Sequence, residues 1–591
     1  MLNLKTKRGR WIVRCIAMSC LLASGCSRSA TPVSAPPQET ASQLEVAEIP
    51  SSPVRFEDAT AKSGLQFVYD NGEASGNLSI VESLGGGVAM FDYDRDGRQD
   101  LWFPGGGRLE KSKPLTGLKH GLWRGQQDGT FADVSLDAGM VTARNYTHGC
   151  ATADFDNDGF CDVLITGYGG LQLYRNQGDG TFVDETDRAA MIDPAWSSSA
   201  AWGDFDGDGN LDVYVAHYVD WSWENHPRCP TSEPGVDDVC TPNDFKPLAD
   251  VIFFNNGDGT FRAASDTIGL RPDGKGLGVI TLDVNGDSHC DIYVANDTTN
   301  NFLYLNNGDG SFRETGMISG VAVDGDGASN GSMGIAALDF DGNLQPDLWV
   351  TNYENETYAL YQNQGHDSFL CGTAQAGVNA LGTLYVGFGT VAADFDADGD
   401  EDLVVTNGHV MQHPSSGGIA QLPLFLECVE GSSGQPKTRK LVRKMFAPED
   451  YFSNSWRGRG VVAGDLDRDG KLDLVFANTN QPAVILMNRT PSDGRSLSID
   501  LVGMGSNRNA IGAHVVLQTS GGEYARSVVG GGSYLSQQPY AVHFGIPAGE
   551  TVERIQVTWP DGAREAITDL PDTQSFQWVQ SSPPAKLRAG D

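Results

Sequence analysis

The chain is short of positive charge. Its 41 Lys and Arg stand against 77 Asp and Glu, for a formal net charge of -36. The basic footprint that neutralises phosphates is missing, which excludes nucleic acid as a partner. Long hydrophobic runs are also lacking. The apolar stretch IAMSCLLASG, preceded by Lys5, Lys7, Arg8, Arg10 and Arg14, stops at Cys26. That is too short for a stable membrane span and has the form of a secretory signal. The 10 histidines show no H-E-x-x-H spacing, and neither a nucleophile elbow nor a phosphate loop is expected. No catalytic residue is assigned.

What the chain has is acid, in a fixed frame. Residues Asp204 to Asp212 read DFDGDGNLD, with side-chain oxygens at positions 1, 3, 5 and 9 and glycine at position 6. Bare, these carboxylates would repel one another. Asp204, Asp206 and Asp208 can give one oxygen each, the main-chain carbonyl of Asn210 a fourth, and Asp212 a bidentate pair. Such a set suits Ca²⁺, which takes roughly 6–8 oxygens, better than Mg²⁺ with its strict octahedron.

The frame recurs six more times. The further ligand sets are Asp92, Asp94, Asp96, Arg98 and Asp100; Asp154, Asp156, Asp158, Phe160 and Asp162; Asp283, Asn285, Asp287, His289 and Asp291; Asp339, Asp341, Asn343, Gln345 and Asp347; Asp394, Asp396, Asp398, Asp400 and Asp402; and Asp465, Asp467, Asp469, Lys471 and Asp473. The seventh position (Arg98, Phe160, Asn210, His289, Gln345, Asp400, Lys471) has no shared side-chain chemistry, as expected of a main-chain ligand. An EF-hand is excluded, because its position-12 glutamate is replaced by Phe103, Ile165, Val215, Val294, Val350, Val405 and Phe476. Five loops keep the full pattern. In the other two, Asn285 and Asn343 replace carboxylates, and Ser288 and Leu344 replace the glycine, so five to seven Ca²⁺ ions are expected. The bland alternative is a set of acidic surface turns. Positions 1, 3, 5 and 9 of the seven loops account for 26 of the 77 acidic residues, so much of the acidity is ligand inventory.

The loops lead into runs such as LDVYVA and LDLVFA, which read as buried strands. A repeating grammar emerges: a strand of small residues (GGGVAMFD, GLGVITLD), the acidic loop, a hydrophobic strand, and a hairpin such as LYRNQGDGTFVDET. Four strands per unit predict an all-β fold, a seven-bladed β-propeller over residues 54–490. Gly and Ala fit the innermost strands, where bulky side chains would clash near the axis. The last unit lacks a fourth strand, and VRFEDATAKSGL at residues 54–65 supplies one, closing the ring and removing an exposed edge. Residues 495–580 alternate as a separate small β domain, and residues 581–591 form a tail.

LASGC at residues 22–26 resembles a bacterial lipobox, although Ala23 is less common than leucine at its place. The resemblance implies a signal peptide at 1–25, lipid on Cys26 and, with Ser27 following, outer-membrane sorting toward the periplasm or cell surface. Loss of residues 1–25 removes five basic and no acidic groups, moving the charge from -36 to -41. Residues 26–53 read as a Pro/Ser-rich tether. Among the later cysteines, Cys229 and Cys240 bracket one loop and are expected as a disulfide in an oxidising compartment. Cys150 and Cys161 fit core packing.

The acidic repeats resemble the FG-GAP/VCBS repeats of integrin-type propellers. SNRNAIGAHV, GGGSYLSQQ, VHFG and WPDG resemble the ASPIC/UnbV domain. Together they look like the cartilage acidic protein family, which implies the fold and calcium binding but no shared catalysis.

Candidate ligand contacts lie opposite the acidic loops. Five residues beyond each final aspartate come Gly105, Gly167, His217, Asn296, Asn352, Asn407 and Asn478. They can either hydrogen-bond a sugar or peptide, or cap the strand exits. Long insertions after His217 and Gly408 carry Trp221, Trp223, His409 and His413. The tryptophans suit a carbohydrate platform or an internal anchor. The expected function is a calcium-binding, membrane-anchored binding or adhesion protein for a protein or glycan ligand. The alternatives are a polysaccharide lyase or hydrolase on the face opposite the loops, and a structural envelope scaffold.

Overall fold

The computed structural model describes residues 53–140, 143–414, 417–430, 438–504, 507–570 and 573–586. Cys26, the signal and the tether lie outside them. The described residues fall in one compact unit.

Seven sheets, called blades here, share the same order of four antiparallel strands, and the fourth gains a fifth, Gly530–Gly531, paired with its first strand. Their first strands are Ala89–Phe91, Tyr146–Ala153, Ser197–Gly203, Gly276–Leu282, Ile335–Leu338, Gly387–Ala393 and Gly458–Gly464. Each first strand packs against the next, and the seventh packs against the first. This closed circuit is consistent with a β-propeller. Apolar residues on both faces of each sheet account for the buried second strands: Asp212–His217 is buried throughout, and Val213, Val215 and Phe253 belong to a core shared by blades two to four.

Closure takes place as the strand count requires. Phe56, Glu57 and Asp58 pair antiparallel with Asn488, Met487 and Leu486. Only three residues form the strand; a helical turn, Thr60–Ser63, follows and ends at Gly64 in the left-handed region. Phe56 anchors the closure between Phe395, Phe425 and Phe452, with ring centroids 5.7, 6.0 and 5.8 Å away.

The C-terminal segment has its own core, in which Ile499, Phe544, Trp559, Phe576 and Trp578 lie between two four-stranded sheets. It is not separate from the ring, however. Residues 530–537 run into the axis and touch all seven first strands. Met90 N–H donates to Gln537 O (3.0 Å), Cys150 N–H to Leu535 O (3.1 Å), Gly532 N–H to Val279 O (2.9 Å) and Ile335 N–H to Ser533 O (2.9 Å). Leu535 N–H reaches Ser199 Oγ (3.3 Å), Ser533 Oγ donates to Val461 O (2.7 Å), and the Tyr534 ring meets Phe388 at 5.0 Å. The small residues of the inner strands serve both the expected mutual approach, since a Cβ on Gly278 would lie 2.1 Å from Met333 O and one on Gly334 2.0 Å from Phe388 O, and a second need that was not expected, room for this segment. A Cβ on Gly87 would lie 1.7 Å from Leu535 O.

The opposite end of the axis is covered by the long insertions. Asp238, from blade three, accepts the N–H groups of Gln412 (2.7 Å) and His413 (2.8 Å) from blade six. The Cys229–Cys240 disulfide is present, and Cys150, Cys161, Cys290, Cys371 and Cys428 are free thiols.

If Phe56–Asp58 locks the ring, a chain beginning at residue 62 melts lower, or aggregates, relative to one beginning at residue 52. Phe56→Ala alone lowers unfolding stability by about 3 kcal/mol. Equal melting temperatures for the two truncations would show that this strand is not the lock.

Candidate metal centres

Each acidic loop joins the first and second strands of its blade and folds around its position-1 aspartate. The position-6 N–H donates to that carboxylate: Gly97 to Asp92 (2.8 Å), Gly159 to Asp154 (2.8 Å), Gly209 to Asp204 (3.0 Å), Ser288 to Asp283 (2.8 Å), Leu344 to Asp339 (3.2 Å), Gly399 to Asp394 (2.8 Å) and Gly470 to Asp465 (2.9 Å). Position 6 is left-handed in all seven, including Ser288 (φ 68°) and Leu344 (φ 69°). A leucine is strained there. The two degraded loops therefore keep the backbone path that glycine normally permits.

Position 5 is held from position 7. The N–H of Arg98, Phe160, Asn210, His289, Asp400 and Lys471 donates to Asp96, Asp158, Asp208, Asp287, Asp398 and Asp469 at 2.8–3.0 Å. In loop five Gln345 N–H donates to Asn343 Oδ1 (2.8 Å), while the Asn343 amide turns to Asn363 O (2.7 Å).

The position-9 aspartates carry a second role that the sequence reading missed. Asp212 Oδ2 accepts the N–H of Phe205 (2.9 Å), and its Oδ1 accepts that of Asn255 (2.7 Å) at the end of the third strand. Asp100, Asp162, Asp291, Asp347 and Asp473 repeat both bonds. One lone pair on each oxygen is thus committed to the backbone, and the other remains for an ion.

Several loops bring carboxylates together. One oxygen from each member of Asp92/Asp94/Asp96, Asp154/Asp156/Asp162, Asp204/Asp206/Asp212 and Asp394/Asp396/Asp398 lies within 4.8 Å of the others. Asp94 Oδ1, Asp154 Oδ1, Asp206 Oδ1 and Asp402 Oδ2 are buried with no hydrogen-bond partner. Burial first, and neighbouring carboxylates second, push the loop acids upward: Asp92, Asp204 and Asp465 to about 6, Asp154 and Asp394 to about 7, Asp347 and Asp398 to about 8. A divalent cation removes both penalties. These acidic groups can therefore hold metal ions such as Ca²⁺, and the all-oxygen donor set fits a hard cation.

The loops are also stapled to one another. The side-chain amides of Asn176, Asn255, Asn306, Asn363 and Asn488 donate to the position-2 carbonyls of the preceding blade: Tyr93, Phe155, Phe205, Val284 and Phe395 (2.8–2.9 Å). In blade six Arg439 does this, reaching Asp339 O (3.0 Å) and Phe340 O (3.1 Å). The recurring hairpin asparagine was visible in the sequence but was read only as a turn former.

The other candidate residues are structural. Asn352, Asn407 and Asn478 are buried and bond backbone carbonyls of Thr357 (2.5 Å), Leu422 (2.7 Å) and Pro482 (2.9 Å); Asn296 bonds Asn300 O (2.8 Å). They cap the strand exits and do not form a ligand ring. His217 is buried between Asp193 Oδ2 (2.7 Å) and Ala249 O (2.5 Å). Trp221, 2% exposed, donates to His226, so it is an anchor and not a platform. Trp223 packs against Trp221 and donates to Lys113 O (2.8 Å). GASNG at residues 327–331 does match Gly-x-Ser-x-Gly, against expectation. It lies in a turn, not between strand and helix, and Ser329 Oγ donates to Asn300 (2.5 Å).

Comparison with known proteins finds similarity over parts of this geometry. An FG-GAP-like repeat model matches residues 154–215 and 283–350, and an ASPIC and UnbV model matches 503–584. The chain is distantly similar to cartilage acidic protein 1. It is 24% identical to the mouse protein over 505 residues, covering 80% of this chain and 70% of the relative. For the human protein the figures are 24% over 513 residues, 80% and 69%. Among solved structures, a lectin of Agrocybe aegerita aligns with TM-score 0.37 and 16% identity over 67% of this chain and 86% of the lectin. A rhamnogalacturonan lyase of Bacillus licheniformis aligns with TM-score 0.34 and 12% identity over 69% and 72%. At these scores neither bears on function.

Two outcomes test this site. Chelation lowers the melting temperature, and Asp206→Ala binds one ion fewer by elemental analysis; an unchanged melt, with no calcium in the untreated protein, would refute the metal centres. The second concerns pH. Burial disfavours a charge on His217, but the bond to Asp193 and the pull of Asp193 and Asp250 outweigh it, and the imidazole is held above its ordinary value. Its contribution is therefore complete below about pH 6.5 and is lost as pH rises through the raised value. His217→Asn should flatten that loss of stability; an identical pH profile would show that the pair is not responsible.

Proposed function

We propose that the chain is a calcium-binding, membrane-anchored binding or adhesion protein of the cartilage acidic protein type. In this reading a seven-bladed propeller and its C-terminal domain form a rigid support for a protein or glycan ligand at the cell surface or in the periplasm. The observation that carries it is the set of acidic loops built into strand junctions, where a bound ion would stiffen the scaffold. The lipid anchor at Cys26 and the outer-membrane location belong to the same reading.

The titratable pairs support binding over chemistry. His217 with Asp193 and His409 with Glu354 (3.3 Å) look like acid–base dyads, yet the histidines are 3% and 2% exposed and sit inside the covering of the axis. A substrate needs reach to such groups. The ligand surface is then the outside of the blade-three and blade-six insertions, where long loops rest on rigid strands.

A glycan and matrix-protein array probed with full-length protein, with and without Ca²⁺, tests this. The expected result is calcium-dependent retention with no new reducing or unsaturated ends released from polysaccharides. Release of such ends would replace the binding reading with an enzymatic one; no retention on any probe would remove the adhesion reading.

A further inference from the structure

The seven loops share a backbone but differ in what stands over them. The residue preceding the third-strand N–H that bonds the position-9 aspartate is Arg124, Arg175, Phe254, Leu305, Gln362, Glu427 and Met487 in blades one to seven. In blade one Arg124 Nε meets Asp94 Oδ2 at 2.6 Å and its Nη2 meets Asp96 Oδ2 at 3.0 Å. In blade two Arg175 Nε meets Asp156 Oδ2 at 2.5 Å and Nη2 meets Asp158 Oδ2 at 2.9 Å. In blade seven Arg489, two residues beyond Met487, takes the same place, 2.8 Å from Asp467 and 3.6 Å from Asp469. Each guanidinium thus spans positions 3 and 5, the carboxylates an ion would need.

Loops three and six are different. Arg262 approaches Asp206 only to 3.9 Å, because its guanidinium lies over the Phe254 ring at 4.3 Å. In loop six the arginine of the fourth strand, Arg439, pairs with Asp400 at position 7, and the cation acting on Asp396 at position 3 is Lys444, whose single ammonium also acts on the third-strand acid Glu427, so no guanidinium spans positions 3 and 5.

We propose that Arg124, Arg175 and Arg489 are built-in counter-ions that compete with Ca²⁺ for positions 3 and 5, dividing the loops into a tightly binding class containing loops three and six and a weakly binding, ion-independent class of loops one, two and seven. This rests on the metal reading above. Its physical basis is that the count and charge of available ligands set calcium affinity, and a bidentate arginine removes one charge and occupies two carboxylates at once. The grouping has a spatial meaning, since blades seven, one and two are neighbours around the ring closure. That is the sector joined without a covalent link, through Phe56–Asp58. It stays partly compensated when calcium falls, whereas loops three and six depend more on the ion.

The test is calcium titration of the metal-stripped full-length protein by calorimetry, with ion number from native mass spectrometry. Two affinity classes are expected. Arg175→Gln and Arg124→Gln, each checked for a normal melt at saturating Ca²⁺, should each tighten one weak site roughly three- to tenfold, whereas Asp206→Ala removes a tight one. Hydrogen exchange on the unmodified protein is the variant-free arm: chelation should open loops three and six and leave one, two and seven protected. A single class of equal sites, unchanged or weaker binding in both arginine variants, or uniform opening of all loops would overturn the proposal. Absence of any bound calcium would instead overturn the metal reading beneath it.

Discussion

At the start of six of the seven second strands a buried aspartate holds three pieces of chain together, and in blade six Asp402 makes only the bond to the third strand. Asp212 takes the N–H of Phe205 from its own loop and that of Asn255 from the third strand, so the turn and the hairpin register are fixed by one carboxylate. Burying that charge is costly unless it is compensated, and burial pushes Asp212 well above the ordinary carboxylate range. Two N–H groups do not balance a full charge shared with three more acids. The compensating charge, whether an ion or an arginine, is therefore coupled energetically to the turn and the register.

The blades are coupled in sequence order. Each hairpin asparagine bonds the loop of the blade before it, and where blade six has Cys428 in place of asparagine, Arg439 makes the same connection. Blade one has Gly125 at that position, which breaks the series at the junction of blades seven and one. Other contacts compensate there: the N-terminal strand pairs with the end of blade seven, Arg457 grips both oxygens of Glu73 at 2.6 Å, and Arg459 donates to Ser83 O (2.9 Å). The side chains that close the ring thus replace the staple absent from the first repeat.

Much of this was legible because it is periodic. The nine-residue frame, the four-strand grammar, the orphan N-terminal strand and the Cys229–Cys240 pair depend on local pattern and on counting. What was not legible depends on contacts far apart in sequence. GGGSYLSQQ has neither a strand nor a helix period, so nothing in it announces that Leu535 O would meet Cys150 N–H. The glycines of the inner strands were explained by mutual crowding alone, which holds for Gly278, Gly334 and Gly389 but leaves out the segment that Gly87 makes room for. Asn352 and Asn407 looked available because equivalent polar residues at a strand exit are compatible with a ligand. Their amides are instead consumed by the local carbonyls of Thr357 and Leu422, a choice that sequence cannot make. Trp221 was undecidable for the same reason: only its burial shows that the ring faces inward.

The axial segment alters how the repeats behave as a set. Repeat proteins whose units contact only their neighbours are stabilised unit by unit and can fold from any point. Here residues 530–537 contact every first strand, and the last outer strand comes from residues 56–58. The ring is therefore completed by both ends of the described chain, through contacts of very high sequence separation. Such contacts incur loop-closure entropy before they return any stabilisation, so ring closure and seating of the C-terminal domain are costly until the strands they join are in place. The acidic loops suit that order: each is a local contact able to organise its own blade, and charge balance within a blade does not wait for the ring.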